Sequence, residues 1–111
     1  MKKTETLIKE EATKIVNLLI QKNRAYGDTA TNPVNVFSKL PAKEGILARL
    51  DDKLMRIKNK GLNDITEDTV ADLIGYLLLY KVQVRKEDEV IKKKLIKLKY
   101  EYKKDIISGT E

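Results

Sequence analysis

The chain contains no cysteine, no histidine and no tryptophan, and of its 111 residues only two are proline and five glycine. Without cysteine there are no disulfides and no thiol nucleophile. Without histidine there is no imidazole for Ser-His or Cys-His catalysis, and zinc sites built on thiolate or imidazole are excluded. Any metal would have to be a hard cation held by oxygen ligands, such as magnesium or manganese. No apolar run is long enough to span a bilayer, and the start, Met1-Lys2-Lys3-Thr4-Glu5, leads into a mixed segment rather than an apolar stretch of signal-peptide type. A cytoplasmic protein is the expectation, with no membrane partner.

What is present is charge and helical periodicity. Apolar residues make up 41% and charged residues 36%, with a formal net charge of +6. This is globular composition, sized for one domain with one modest core. The positive balance favours anionic partners without choosing among nucleotide, nucleic acid and membrane surface.

Four helical segments are expected. The first runs from about Thr4 to Arg24, where Leu7, Ile8, Ala12, Ile15, Val16, Leu19 and Ile20 recur at helical spacing. The stretch "YGDTATNPVNVFSKLP", residues 26–41, then reads as an irregular connection with Val34, Val36 and Phe37 as apolar anchors. It is long for so small a domain, and such loops more often carry function. A second helix is expected from about Pro41 to Lys60, with Leu47, Leu50, Leu54 and Ile57 as its buried stripe. A third starts near Thr66 as N-cap and continues through "VADLIGYLLLYKVQV"; apolar on nearly all sides, it should be the central, most buried helix. The last segment, "EVIKKKLIKLKYEYKKDII", is helical and basic. Its Ile91, Leu95, Leu98 and Tyr102, spaced 4, 3, 4, form a coiled-coil-like seam, and the segment either continues helix three or folds back. The expected architecture is an all-α bundle of about four helices: a core over residues 1–85, and a basic helix over 86–111 suited to forming a homo-oligomer.

Three stretches carry candidate chemistry. In "ARLDDKLMRI", residues 48–57, Arg49, Asp52, Lys53 and Arg56 cluster on one helical face while Asp51 points elsewhere. Arg49, Lys53 and Arg56 suit phosphate oxygens. Asp52, with Asp68 and Asp72 of the third helix, suits magnesium. The structural alternative is pairing of these acids and bases within and between helices. Asp72 lies in apolar surroundings and needs either a partner or a metal, and Gly75 on the same face would let a ligand or a helix come close. In "NRAYGD", Arg24 offers charge, Tyr26 a stacking ring and Gly27-Asp28 a tight turn; the alternative is an ordinary helix end with a glycine stop. The lysines Lys92, Lys93, Lys94, Lys97, Lys99, Lys103 and Lys104 admit a nucleic-acid reading. They surround the helix rather than forming one stripe, and no recognised DNA-binding motif is present, which favours a solvated helix.

Three blocks, "NRAYGD…NPVNVFSK", "ILARLDDKLMRI" and "ITEDTVADLIGYLLLYKV", resemble small phage and prophage proteins of the nucleotide modification associated domain 1 family. The resemblance spans about residues 22–82 and leaves out the basic helix after Val84. It implies a link to nucleotide metabolism. On the matching positions it points to Arg24, Tyr26, Asp28, Phe37, Arg49, Asp52, Lys53, Arg56, Asp68, Asp72 and Tyr76. The blocks are also more loosely similar to all-α nucleoside triphosphate pyrophosphohydrolases of the MazG type. There the sequence departs: bases stand among the acids of "RLDDKLMRI", and the second motif reads Glu67-Asp68 followed by Asp72. A two-metal cluster needs converging carboxylates that arginine has not neutralised.

Two expectations follow. One is a binding protein that holds a phosphorylated nucleotide through Arg24, Arg49, Lys53 and Arg56, with Tyr26 and Tyr76 as stacking rings. For a phage protein, sequestration of a host immune nucleotide signal would be its purpose. The other is a magnesium-dependent pyrophosphohydrolase in which Asp52 and Asp72 are catalytic, Asp68 completes the metal set and Glu67 assists.

Overall fold

The computed structural model describes residues 1–108 and contains three helices among them: α1 (Thr4–Ala25), α2 (Ala42–Lys60) and α3 (Thr69–Ser108). The all-α class is as expected; the helix count is three rather than four. The third and fourth expected segments are one continuous helix of 40 residues. Nothing between them breaks a helix: "RKEDEV", residues 85–90, contains neither glycine nor proline and is mostly strong helix formers. The last three residues of the expected 86–111 element lie outside the described residues.

α2 ends where its sequence says it should. Pro41 is its N-cap, its carbonyl accepting from Gly45 N–H at 2.9 Å, and Gly61, at φ 79°, stops it, its N–H donating to Ile57 O at 2.8 Å. α3 begins two residues later than the Thr66 cap anticipates. Asp68 caps it instead, Oδ1 accepting from Ala71 N–H at 3.0 Å. The Thr66 hydroxyl is engaged elsewhere, donating to Asp64 Oδ1 at 2.6 Å and accepting from Arg56 Nη2 at 2.7 Å.

α2 and α3 pack antiparallel. Lys43 pairs with Glu87 at one end (3.7 Å) and Lys53 with Asp72 at the other (3.1 Å). The inward line of α2 is Ile46, Leu50, Lys53 and Ile57, with Ile46 and Leu50 buried. The expected stripe of Leu47, Leu50, Leu54 and Ile57 is thus rotated by about 50° at ~100° per residue, and Leu54 is 55% exposed. The rotation follows from Lys53. Its ammonium turns inward because two carboxylates of the 67–72 region await it.

α1 touches only α3, and among the described residues it does not reach α2. It comes close to α3 at Gly75, where an added Cβ would lie 3.6 Å from Leu19 Cδ1. No residue of α1 is buried. α3 is therefore central, yet it is not the deeply buried helix expected: Ile74 and Leu77 stay exposed because neighbours cover only part of its circumference. The radius of gyration is 20.6 Å, against ~13 Å for a compact chain of this length. Among the described residues no helix is long and apolar enough to cross a membrane.

Candidate functional site: a cleft between α1 and α2 floored by α3

Because α1 and α2 do not meet, a cleft of about 480 Å³ opens between them, within the ordinary range for small-molecule sites. Ala71, Asp72, Gly75, Tyr76 and Leu79 of α3 form its floor. Ile15, Leu19 and Lys22 come from α1, and Gly45, Ile46 and Arg49 from α2. The 26–41 connection closes one side with Tyr26, Pro33, Val34, Asn35 and Ser38. The long loop is thus part of the cleft wall.

The loop is held in shape by Asp28. Gly27 and Asp28 both adopt left-handed backbone, φ 66° and 63°, and reverse the chain after α1. Asp28 carboxylate oxygens accept from Asn23 Nδ2 (3.3 Å), Thr31 Oγ1 (3.3 Å) and Asn32 Nδ2 (2.7 Å). Lys86 of α3 stands 3.7 Å away and donates to Thr31 Oγ1 at 2.8 Å. The Asn23 amide, with Lys86 and the two other donors, holds the Asp28 carboxyl below the usual carboxylate range. Asp28 organises the loop and does not line the cleft.

Of the expected phosphate-gripping bases, only Arg49 lines the cleft, and among the described residues no carboxylate pairs with it. Lys53 and Arg56 are spoken for. Lys53 Nζ donates to Glu67 Oε1 at 2.6 Å and to Asp72 Oδ2 at 3.1 Å, which raises its pKa, the Glu67 hydrogen bond being the largest cause. Arg56 Nε donates to Asp64 Oδ2 at 2.8 Å and stands 3.5 Å from Glu67. Asp64 falls to about 2, chiefly through the Thr66 hydroxyl, then the Thr66 N–H and Arg56. Arg24 and Phe37 are exposed and do not line the cleft; Phe37 is almost wholly in solvent. Tyr26 and Tyr76 both line it.

The carboxylates named for magnesium do not converge. Asp52 is exposed on α2 away from the cleft, Asp68 caps α3, and Asp72 lies between Lys53 and Lys22 (3.5 Å). Among the described residues no group of three carboxylates is placed to hold a metal ion. Asp72 has the partner that its apolar surroundings demanded, and that partner is lysine.

Sequence reasoning missed Lys22, Asn35 and Ser38. Lys22 follows Leu19 by three residues, on the α1 face that meets α3 at Gly75; that spacing was the available signal. Asn35 and Ser38 reach the cleft through loop geometry, which has no periodic signature. No family model, curated protein or solved structure matches the chain.

Proposed function

We propose that the chain binds a small phosphorylated nucleotide in this cleft and holds it intact. The observation that carries the reading is Arg49: a guanidinium that no carboxylate pairs with among the described residues, in a cleft whose walls mix apolar side chains with Lys22, Asn35, Ser38 and Asp72 and carry two tyrosine rings. A guanidinium presents a planar fork that matches phosphate oxygens, while a base stacks on a ring and hydrogen-bonds to amides such as Asn23 and Asn35. Lys22, half exposed and only 3.5 Å from Asp72, is the second cation within reach. The resemblance to the nucleotide modification associated domain 1 proteins supports the same ligand class. Sequestration of a nucleotide signal in a host cytoplasm, by a phage-derived protein, is the role that suits a binder without reactive groups.

The alternative, magnesium-dependent pyrophosphate hydrolysis, is less favoured by the geometry. Its carboxylates are neutralised by lysine, committed to a helix cap or turned away, so the residues present do not fit a metal cluster. Equilibrium dialysis against AMP, ADP, ATP, ADP-ribose and cyclic dinucleotides, with and without magnesium, followed by chromatography of the ligand released on denaturation, separates the two. Retention of an intact ligand supports the binder; conversion dependent on magnesium and lost in Asp72→Asn would replace it with the hydrolase.

A further inference from the structure

The surface left uncovered is larger than a monomer of this size carries. The described chain exposes 9531 Å², whereas a compact chain of its mass exposes roughly 6,200 Å². The excess of roughly 3,300 Å² exceeds the ~800 Å² that each partner gives up in a standard interface.

Part of this surface is ordered along one line. The seam Ile91, Leu95, Leu98 and Tyr102 extends backward at the same 4–3 spacing through Asp88, Val84, Lys81, Leu77 and Ile74 to Val70. Val70, Ile74, Leu77, Ile91, Leu95, Leu98 and Tyr102 are all among the exposed apolar residues. Ala71, Gly75 and Leu79, which floor the cleft, stand on the opposite side of α3 at ~100° per residue. One helix thus carries a nearly unbroken apolar line over more than four heptads, on the side away from its own bundle, interrupted only at Lys81 and Asp88.

We propose that this line on the back of α3 is the contact surface for a second copy of the chain, packed antiparallel. Charge selects both the partner and the direction. Within α3, residues 69–89 carry four acids and three bases, and residues 90–108 carry seven lysines and two acids. An antiparallel partner lays the lysine-rich half of one α3 along the near-neutral half of the other and keeps the two lysine-rich halves apart. A parallel partner would set the lysine-rich halves side by side, Lys81 against Lys81 and Asp88 against Asp88. In the antiparallel register Val70, Ile74 and Leu77 meet Tyr102, Leu98 and Leu95 of the partner subunit. Lys81 then lies one layer from Asp88 of the partner subunit, so the two interruptions neutralise each other at the centre. The interface goes beyond the nucleotide reading and does not depend on it, because the cleft opens on the other side of the helix.

Sedimentation equilibrium on the full chain should return twice its 12.7 kDa mass, and Leu95→Glu should halve that value while keeping the helical circular dichroism and any nucleotide retention of the parent. Lys81→Asp should weaken association at least tenfold, and Lys81→Asp combined with Asp88→Lys should restore it. Because the chain has no cysteine, orientation can be read directly: an equal mixture of Ile74→Cys and Leu98→Cys, mildly oxidised, should yield the mixed disulfide. A homodisulfide of Leu98→Cys alone would overturn the antiparallel register. A monomeric parent at every concentration, or an unchanged mass for Leu95→Glu, would overturn the proposal and leave the face to another occupant.

Discussion

Lys53 Nζ lies 2.6 Å from Glu67 Oε1, with both side chains largely out of solvent. The same ammonium reaches Asp72, which in turn faces Lys22 of α1, so one chain of ion pairs links all three helices. In a fold whose buried apolar side chains among the described residues are Ile46 and Leu50, this polar junction does part of the work of a core. Removing one member of such a set leaves the others underpaired in a partly desolvated place.

Lys53→Met should therefore lower stability by about 1–2 kcal/mol, less than for a fully buried pair because these groups keep some contact with water. Asp52→Asn, at the adjacent but exposed position, should stay within about 0.5 kcal/mol. Urea unfolding followed by circular dichroism measures both. Equal effects for the two would show that the Lys53 junction is only a surface pair.

The cleft makes a second prediction. Arg49→Ala should weaken retention of a phosphorylated nucleotide at least tenfold with no loss of thermal stability, since among the described residues no protein group depends on Arg49. Tyr26→Phe should bind like the parent and Tyr26→Ala should not, because a stacking role needs the ring and not the hydroxyl. Unchanged dialysis binding in Arg49→Ala would remove the proposed ligand site. Arg24→Ala is the companion variant, and with Arg24 outside the cleft it should have little effect.

The contrast between Arg49, Lys53 and Arg56 also shows what the sequence could and could not say. Their shared helical face was legible from spacing alone, as were the all-α class, the ends of α2 and the need of Asp72 for a partner. Which base faced the ligand was not legible, because it depends on the rotation of α2 by about 50° and on acids contributed by residues 64–72. The extra length of α3 was hidden for a related reason. A change from apolar to basic composition near Val84 looks like a boundary, while the backbone needs only the absence of glycine and proline to continue. Asp28 was expected to contact the ligand and instead holds the loop; one of its side-chain donors, Asn23, comes from the end of α1, and the other two, Thr31 and Asn32, from a loop whose path no periodicity announces.

Asp64 gives the molecule an acid-sensitive element. Its carboxyl titrates at about 2 in the fold against an ordinary 3.8. A depressed folded value means that its contribution is complete above the ordinary carboxylate range and fades as pH falls from about 4 toward 2. Thermal melts of the parent should lose stability across that window, and Asp64→Asn should show a smaller loss over the same interval while starting from a lower melting temperature at pH 6. Parallel curves for the two proteins would mean that the Asp64–Thr66–Arg56 cluster has no part in acid sensitivity.

Asp68 was assigned to a metal from its spacing with Asp72, and the geometry gives it to the start of α3 instead. Asp68→Ala should then cost about 1 kcal/mol through loss of the cap, and Asp68→Ser or Asp68→Asn should recover most of it, because all three side chains can accept from Ala71 N–H. A metal ligand would behave otherwise: serine would not replace a carboxylate, and the loss would depend on magnesium. Chemical denaturation with and without magnesium reads both quantities in one series.

Thr69, the first residue of α3, is 1% exposed, and its hydroxyl has no hydrogen-bond partner among the described residues. A buried hydroxyl without a partner has lost its water and gained nothing in exchange. Valine has nearly the same shape and no such group. Thr69→Val should therefore leave stability unchanged or raise it by about 1 kcal/mol, against the usual expectation that a change at a fully buried position destabilises. Thr69→Ala, which removes the methyl group as well, should cost about 1 kcal/mol through the space it opens. If Thr69→Val is the more damaging of the two, the hydroxyl is satisfied in solution by a partner such as an ordered water, and the start of α3 is polar where the geometry makes it dry.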